Sequence, residues 1–301
     1  MNFAYRFPSR PSVPAALAAV AVIFVNLASQ SAWSQTPRTI KLVVPFAAGG
    51  VADTLARLLV DEIGRAHGPA MVIEDRPGAG AVIGTEAVAR AIPDGNTILL
   101  TSTTFATNPQ LRKVNYDALT SFEPICYLTR IQSVIAVNSA SRYRTLADLI
   151  NEARAKPGDV TLAGTQGSIN QIAFEMLKRA ASVNITFVPY PGDAPAVSAL
   201  LGEHVTSVLY GYAAVAAQVN AGKLRVLAIA SQDRIKPLPE APTIAESGYE
   251  QIDADTWFGL FAPARTPKER LAQLASFGSV RLCNRQKSSQ GLMCWVMTRS
   301  G

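Results

Sequence analysis

Cysteine and histidine are scarce in this chain: Cys126, Cys283 and Cys294, with His67 and His204, are all that 301 residues contain. Three scattered cysteines cannot frame a disulfide scaffold, and a chain of this length buries a core without one. A Cys283–Cys294 bridge is conceivable in an oxidising compartment, but nothing in the sequence requires it. Two histidines leave no Cys/His spacing for zinc, so no metal and no cofactor is expected. One-sided charge is also missing. The formal +6 comes from the ends, where Arg6, Arg10, Arg281, Arg285, Lys287 and Arg299 lie. Between 35 and 280 the remaining 22 basic residues meet 22 acids, which removes the main support for nucleic-acid binding.

Long apolar runs are lacking too, apart from Val13 to Leu27. That run contains Pro14 and falls short of the about twenty residues that span a bilayer. It follows Arg6 and Arg10 and precedes Ala32-Trp33-Ser34, small residues at the two positions a signal peptidase reads. The expectation is a cleaved export signal over 1–34, a soluble mature chain from Gln35, and a periplasmic location.

Catalytic motifs are the last absence. No Gly-x-Ser-x-Gly elbow occurs, and neither His67 nor His204 has an evident nucleophile partner, which argues against an exported hydrolase. Gly78-Ala79-Gly80-Ala81-Val82-Ile83-Gly84 resembles some dinucleotide loops, but its spacing is loose. No ribose-binding acid ends the strand at Thr97 to Leu100. No catalytic residue is therefore assigned.

What is present is a repeated strand–turn–helix rhythm, the mark of parallel α/β units. Ile40 to Val44 reads as a strand that enters Phe46-Ala47-Ala48-Gly49-Gly50-Val51-Ala52-Asp53. Leu55, Leu58, Leu59 and Ile63 then recur at helical spacing up to His67-Gly68. Such a helix start offers unpaired backbone N–H groups and the positive end of the macrodipole to an anion. Without the Gly-Lys-Ser/Thr ending of a P-loop, a small carboxylate suits it better than a nucleotide. Strands follow at Met71 to Ile73 and Thr97 to Leu100, flanking a helix at Ala81 to Ala91. Thr101 to Pro124 reads as irregular, and Ser133 to Val137 as a strand.

A second series begins at Thr145, paired with Asp148 as a helix cap for Leu146 to Ala155. Val160 to Ala163 then runs into Gly164-Thr165-Gln166-Gly167-Ser168, where Ser168 and Gln171 form an S-x-x-Q capping box for a helix reaching Arg179. A strand at Thr186 to Val188 leads to Tyr190-Pro191-Gly192-Asp193 and a helix from Ala194, which Asp193 is expected to cap; an Asp193 that faces the cleft instead would repel a carboxylate and favour a ligand carrying an ammonium group. Strand Val205 to Leu209, helix Ala213 to Ala221, strand Leu224 to Ala230 and a returning strand at Trp257 to Phe261 complete the reading. The fold class is α/β with two lobes and a ligand cleft between them. Residues 35–137 begin the first lobe, 138–254 form the second, 255–280 return to the first, and 281–301 are an atypical tail.

Taken together, the blocks resemble the substrate-binding proteins of tripartite tricarboxylate transporters, the Bug/TctC type. They are Val44-Pro45-Phe46 with Gly49-Gly50 and Asp53 to Arg57; Glu74-Asp75-Arg76-Pro77-Gly78-Ala79-Gly80 with Gly84; Pro93-Asp94-Gly95; and Asn108-Pro109-Gln110-Leu111. Downstream come Asn115-Tyr116-Asp117; Pro157-Gly158; Val188-Pro189-Tyr190 with Gly192 and Ala194-Pro195; and Pro242-Thr243 with Glu246 and Gly248. The resemblance spans Ile40 to about Leu274 and implies a type II periplasmic-binding-protein-like fold, no enzymatic activity, and a small carboxylate ligand. The partner it implies is a membrane permease, with a sensor protein as the alternative; a monomer is expected.

The resemblance also implies ligand contacts. From one lobe these are Phe46, Ala47, Ala48, Gly49, Gly50 and Asp53, with Thr101, Ser102 and Thr103. From the other they are Thr165, Gln166, Gly167, Ser168 and Gln171, with Tyr190, Gly192, Asp193 and Ala194. The chain departs from its relatives at Gln171, where they commonly carry His, at Asp193, where they carry Ser, and at Thr206, where Asp is frequent. After Leu274 it loses the family pattern, and Ser276 to Gly301 looks like foreign sequence of the kind a frameshift or truncation leaves.

Overall fold

The computed structural model describes residues 39–279, all within the compact unit that begins at Thr39. The expected signal over 1–34, the Cys283–Cys294 pair and the tail from 281 lie outside the described residues.

The strands form two five-stranded sheets. The first has the order β2-β1-β3-β10-β4, from β1 (Ile40–Val44), β2 (Met71–Asp75), β3 (Thr97–Ser102), β4 (Phe122–Ile131) and β10 (Thr256–Pro263). β1 is parallel to β2 and β3, whereas β10 is antiparallel to β3 and β4. The second has the order β7-β6-β8-β5-β9, from β5 (Ser133–Asn138), β6 (Thr161–Thr165), β7 (Thr186–Tyr190), β8 (Ser207–Gly211) and β9 (Leu224–Ile229). Here β6 is parallel to β7 and β8, and β5 runs antiparallel between β8 and β9. The strand at Ser133 to Val137 thus belongs to the second sheet, which corrects the first-lobe span of 35–137: the chain changes lobe at Gln132.

Helices cover both sheets. α1 (Val51–Arg65), α2 (Val82–Ala89), α3 (Thr104–Leu111) and α8 (Lys268–Ser279) serve lobe 1. α4 (Leu146–Ala155), α5 (Ile169–Ala181), α6 (Asp193–Leu201) and α7 (Tyr212–Asn220) serve lobe 2. α1 buries Ala52, Asp53, Ala56, Leu59 and Ile63 against Ile40, Leu42, Ile98 and Leu260. Leu58, expected on that face, is instead exposed, because the buried stripe is completed by the small Ala52 and Ala56. The predicted Thr145/Asp148 cap on α4 forms in both directions. α8 runs past Leu274 to Ser279, with Leu271, Leu274, Ala275 and Phe277 packed on lobe 1, so the helix continues through Ser276.

The stretch from Thr101 to Pro124 is ordered rather than irregular. Pro109 lies inside α3, where it cannot donate to the Phe105 carbonyl one turn earlier. The buried Tyr116 hydroxyl donates to that carbonyl instead, at 3.1 Å, and burial pushes the Tyr116 pKa up to about 12. Phe105, Tyr116, Phe122 and Phe261 close around the helix as an aromatic cluster. Pro124 is tolerated in β4 because β4 is a sheet edge with an irregular register facing Leu260 and Phe261.

Two chain crossings join the lobes, at Gln132 and at Asp253–Asp255, and they lie side by side. Ser133 Oγ donates to the Ala254 carbonyl at 2.7 Å, Arg130 Nε meets Asp255 at 2.7 Å, and Ser231 donates to Asp255. Burial raises the Asp255 pKa, opposed by Ser231 and Arg130. A paired, short crossing of this kind restricts relative lobe motion to a hinge.

Candidate functional site

The carboxyl ends of β1, β3, β6 and β8 point into the cleft between lobes, as open α/β sheets require of a ligand site. From lobe 1, β1 enters the loop that starts α1. Gly49 takes φ +80°, a conformation that favours glycine, and its N–H donates to Asp53 Oδ2 at 2.7 Å. Asp53 is 2% exposed and pairs with Arg57 one turn on, at 2.9 Å. Its carboxylate therefore holds the loop from behind rather than facing the cleft. From lobe 2, the Ser168 side chain accepts from Gln171 N at 3.2 Å. Gln171 Oε1 accepts from Gly167 N at 2.7 Å rather than from Ser168 N, so the expected box closes one residue earlier.

Asp193 does not cap a helix beginning at Ala194. Gly192 is the cap and Asp193 is the first helical residue. Its Oδ1 accepts from Ala194 N at 3.1 Å, while Oδ2 crosses the cleft to accept from Val51 N, the first residue of α1, at 2.9 Å. Burial raises its pKa against the pull of these backbone donors.

The lobes meet through glycines. A Cβ on Gly50 would overlap Asp193, one on Gly80 would overlap the Gln166 carbonyl, and one on Gly167 would overlap Asn108. Gly192 lies against Ala47 N, and Thr107 donates to the Gly167 carbonyl. Gly80 and Gly84, which suggested a dinucleotide loop, are used for this packing, Gly80 against lobe 2 and Gly84 against Pro45 and the Arg76 carbonyl.

A cavity of about 60 Å³ remains at the centre of the cleft. Of the expected contacts, Phe46, Ser102, Thr103, Thr165, Ser168, Gly192 and Asp193 line it. The others do not. Ala47, Ala48, Gly49, Gly50 and Ala194 belong to the two turns around the Val51–Asp193 bond; Thr101 is buried within β3; Tyr190 packs with the lobe 2 core. Gln166 and Gln171 line an outer groove of about 530 Å³ with Leu111 and Arg112, and Gly167 packs on Asn108.

Val51 and Ala52, within the Phe46 to Asp53 loop singled out in the sequence, line the cavity too; sequence reasoning missed Thr104, Ile131, Asn170, Tyr210, Gly211, Thr256 and Phe258, which complete the lining. Tyr210 and Gly211 end β8 as Thr101 and Ser102 end β3, so the strand-end rule was the signal that could have found them. Tyr210 donates to the Gly192 carbonyl at 3.2 Å and lies 3.1 Å from Thr165 Oγ1; its pKa is raised by burial. Asn170 donates to the Leu209 carbonyl at 2.9 Å and accepts from Thr256 at 3.2 Å, across the lobes. Among the described residues no cluster of three or more His, Cys, Asp or Glu could hold a metal ion. The site offers hydroxyls, backbone donors and one carboxylate, a set for binding a small polar solute.

Comparison with known proteins agrees with this reading of the fold. Residues 55–282 match the family described as "Tripartite tricarboxylate transporter family receptor". The chain is 35% identical over 258 residues to Protein BugT of Bordetella pertussis, covering 83% of this chain and 79% of the relative. It superposes with TM-score 0.77 on the periplasmic binding protein BugD, at 35% identity, covering 83% of this chain and 86% of that one. The R. palustris protein Rpa4515, solved with adipate, superposes with TM-score 0.77 at 32% identity, over 82% of this chain and 83% of its own.

Proposed function

The chain belongs to the tripartite tricarboxylate transporter receptor family of solute-binding proteins, and from that premise we propose that it captures a small carboxylate in the periplasm and delivers it to the membrane permease of such a transporter. The observation that carries this reading is the Asp193 carboxylate itself, which accepts the first backbone N–H of α1 across the cleft and that of Ala194 in its own helix α6. That geometry suits a carboxylate. Each helix start contributes roughly 0.3 to 1 kcal/mol, up to about 2 when partly buried, and a charge-assisted hydrogen bond about 1.5 to 3 kcal/mol. Three or four such contacts, less the cost of association, reach micromolar affinity, about −8 kcal/mol.

In this reading Phe46, Ser102, Thr103, Thr165, Ser168, Gly192, Asp193 and Tyr210 surround the ligand, while Asp53 and Gln171 position the loops that bind it. The adipate in the R. palustris relative supports the ligand class. The residual cavity is well under the about 300 Å³ at which small-molecule pockets begin, so the lobes separate at the hinge to admit a solute. The chain acts as a monomer, exported with cleavage near Ser34.

The test is a thermal-shift screen of the mature chain against di- and tricarboxylates, acidic amino acids and aromatic acids. A bound acid at a hundred times its Kd stabilises by about 2.7 kcal/mol, which raises Tm by about 5–10 °C. A flat response across all four classes rejects the carboxylate reading.

A further inference from the structure

Asp193 occupies a place that a ligand group could take. Its two oxygens already use the first N–H of α1 and the N–H of Ala194, and the missing Cβ at Gly50 is what makes room for it. The hydroxyl hydrogens that remain in the cavity can be counted. Tyr210 spends its one hydroxyl hydrogen on the Gly192 carbonyl, so Thr165 must donate to the Tyr210 oxygen; Ser168 Oγ donates to the Thr165 carbonyl. Thr103 Oγ1, on a residue 8% exposed, is buried without a partner and lines the cavity. Ser102 and Thr104 share a single bond between two hydroxyls, 3.0 Å apart, which leaves one hydrogen uncommitted. Two uncommitted hydroxyl hydrogens match the two oxygens of one carboxylate.

We propose that Asp193 stands in for one carboxylate of the ligand, so that this chain selects solutes carrying a single carboxylate over those carrying two. The inference rests on the carboxylate-binding reading above. A dicarboxylate has to place its second anionic group beside Asp193 while competing with it for Val51 N, and like charges in a low-dielectric cleft repel. A monocarboxylate leaves the Asp193 bridge between the lobes in place.

Calorimetric titration of the full mature chain with matched acids tests this: butanoate against succinate, pentanoate against glutarate, hexanoate against adipate. The wild type is expected to bind the monocarboxylate of at least one pair more tightly. Asp193→Ser, which vacates the seat, should shift that ratio toward the dicarboxylate by about tenfold or more. Asp193→Asn keeps the shape and an acceptor oxygen but removes the charge, and it should shift the ratio the same way by less. A wild type that prefers dicarboxylates, or a preference unchanged in both variants while binding persists, overturns the assignment and leaves the carboxylate reading standing. If no acid binds the wild type or either variant, the carboxylate reading itself falls and takes this one with it.

Discussion

At the scale of single residues, position in the turn decides the role. Asp53 and Gln171 were expected to touch the ligand. Each instead sits in the first turn of its helix, where a side chain reaches back to an unpaired backbone N–H, here Gly49 and Gly167. Gly50 has φ −85°, so alanine there meets no backbone strain, only the Asp193 oxygen across the cleft. Gly50→Ala should therefore hold the lobes apart while each lobe stays folded. Small-angle scattering should show a larger radius of gyration than the wild type, and identical profiles would refute the closed contact. Glu86 gives a pH-dependent case. Bonds from Asn115 and Arg90 hold its pKa below the ordinary 4.5, so between its folded and unfolded values the unfolded chain binds more protons. Its contribution is present above pH 4.5 and is lost as pH falls through the folded value. Glu86→Gln should melt below the wild type at neutral pH, and the gap should close on acidification below 4.5; a gap constant with pH would contradict the assignment.

Among the elements, legibility followed locality. α4 was readable to the residue because its cap is local, Thr145 with Asp148 three positions on. α3 was not readable, because Asn108-Pro109 is a local signal against helix and the compensation comes from elsewhere: Tyr116 supplies the missing donor and the surrounding aromatic rings supply the burial. β4 was hidden for a similar reason, since Pro124 argues against a strand until the strand is known to be an edge. α8 matters more than the sequence suggested. Leu274 is 4% exposed among Ile40, Leu59, Ile98 and Leu260, so Leu274→Ala should destabilise by about 2–5 kcal/mol. Because the loss falls on lobe 1, urea unfolding should show the lobe 1 transition at lower denaturant with the lobe 2 transition unmoved. A single unshifted transition would show that α8 does not support the lobe.

For the molecule as a whole, the hinge and the cleft act together. Arg130 pairs with Asp253 at 3.1 Å and Asp255 at 2.7 Å where the two crossings lie side by side, next along the chain to Ile131 and Thr256 of the cavity lining. Arg130→Ala should loosen the hinge and weaken ligand affinity by about twofold to fivefold, the scale of a partly exposed ion pair. Titration with whichever acid the thermal screen identifies reads this directly, and an unchanged Kd would show that the hinge pairs carry no part of closure. The alternating strand and helix signals, the neutral body and the Gly-rich turns were properties of the sequence alone. They determined the α/β class, two lobes and an anion-friendly cleft, because periodicity and helix starts depend on neighbours along the chain. Which side chains face that cleft was decided only by tertiary structure. Asp193 reads locally as a cap for its own helix, and it becomes a bridge because Gly50, 143 positions earlier, leaves room for its carboxylate at the start of α1.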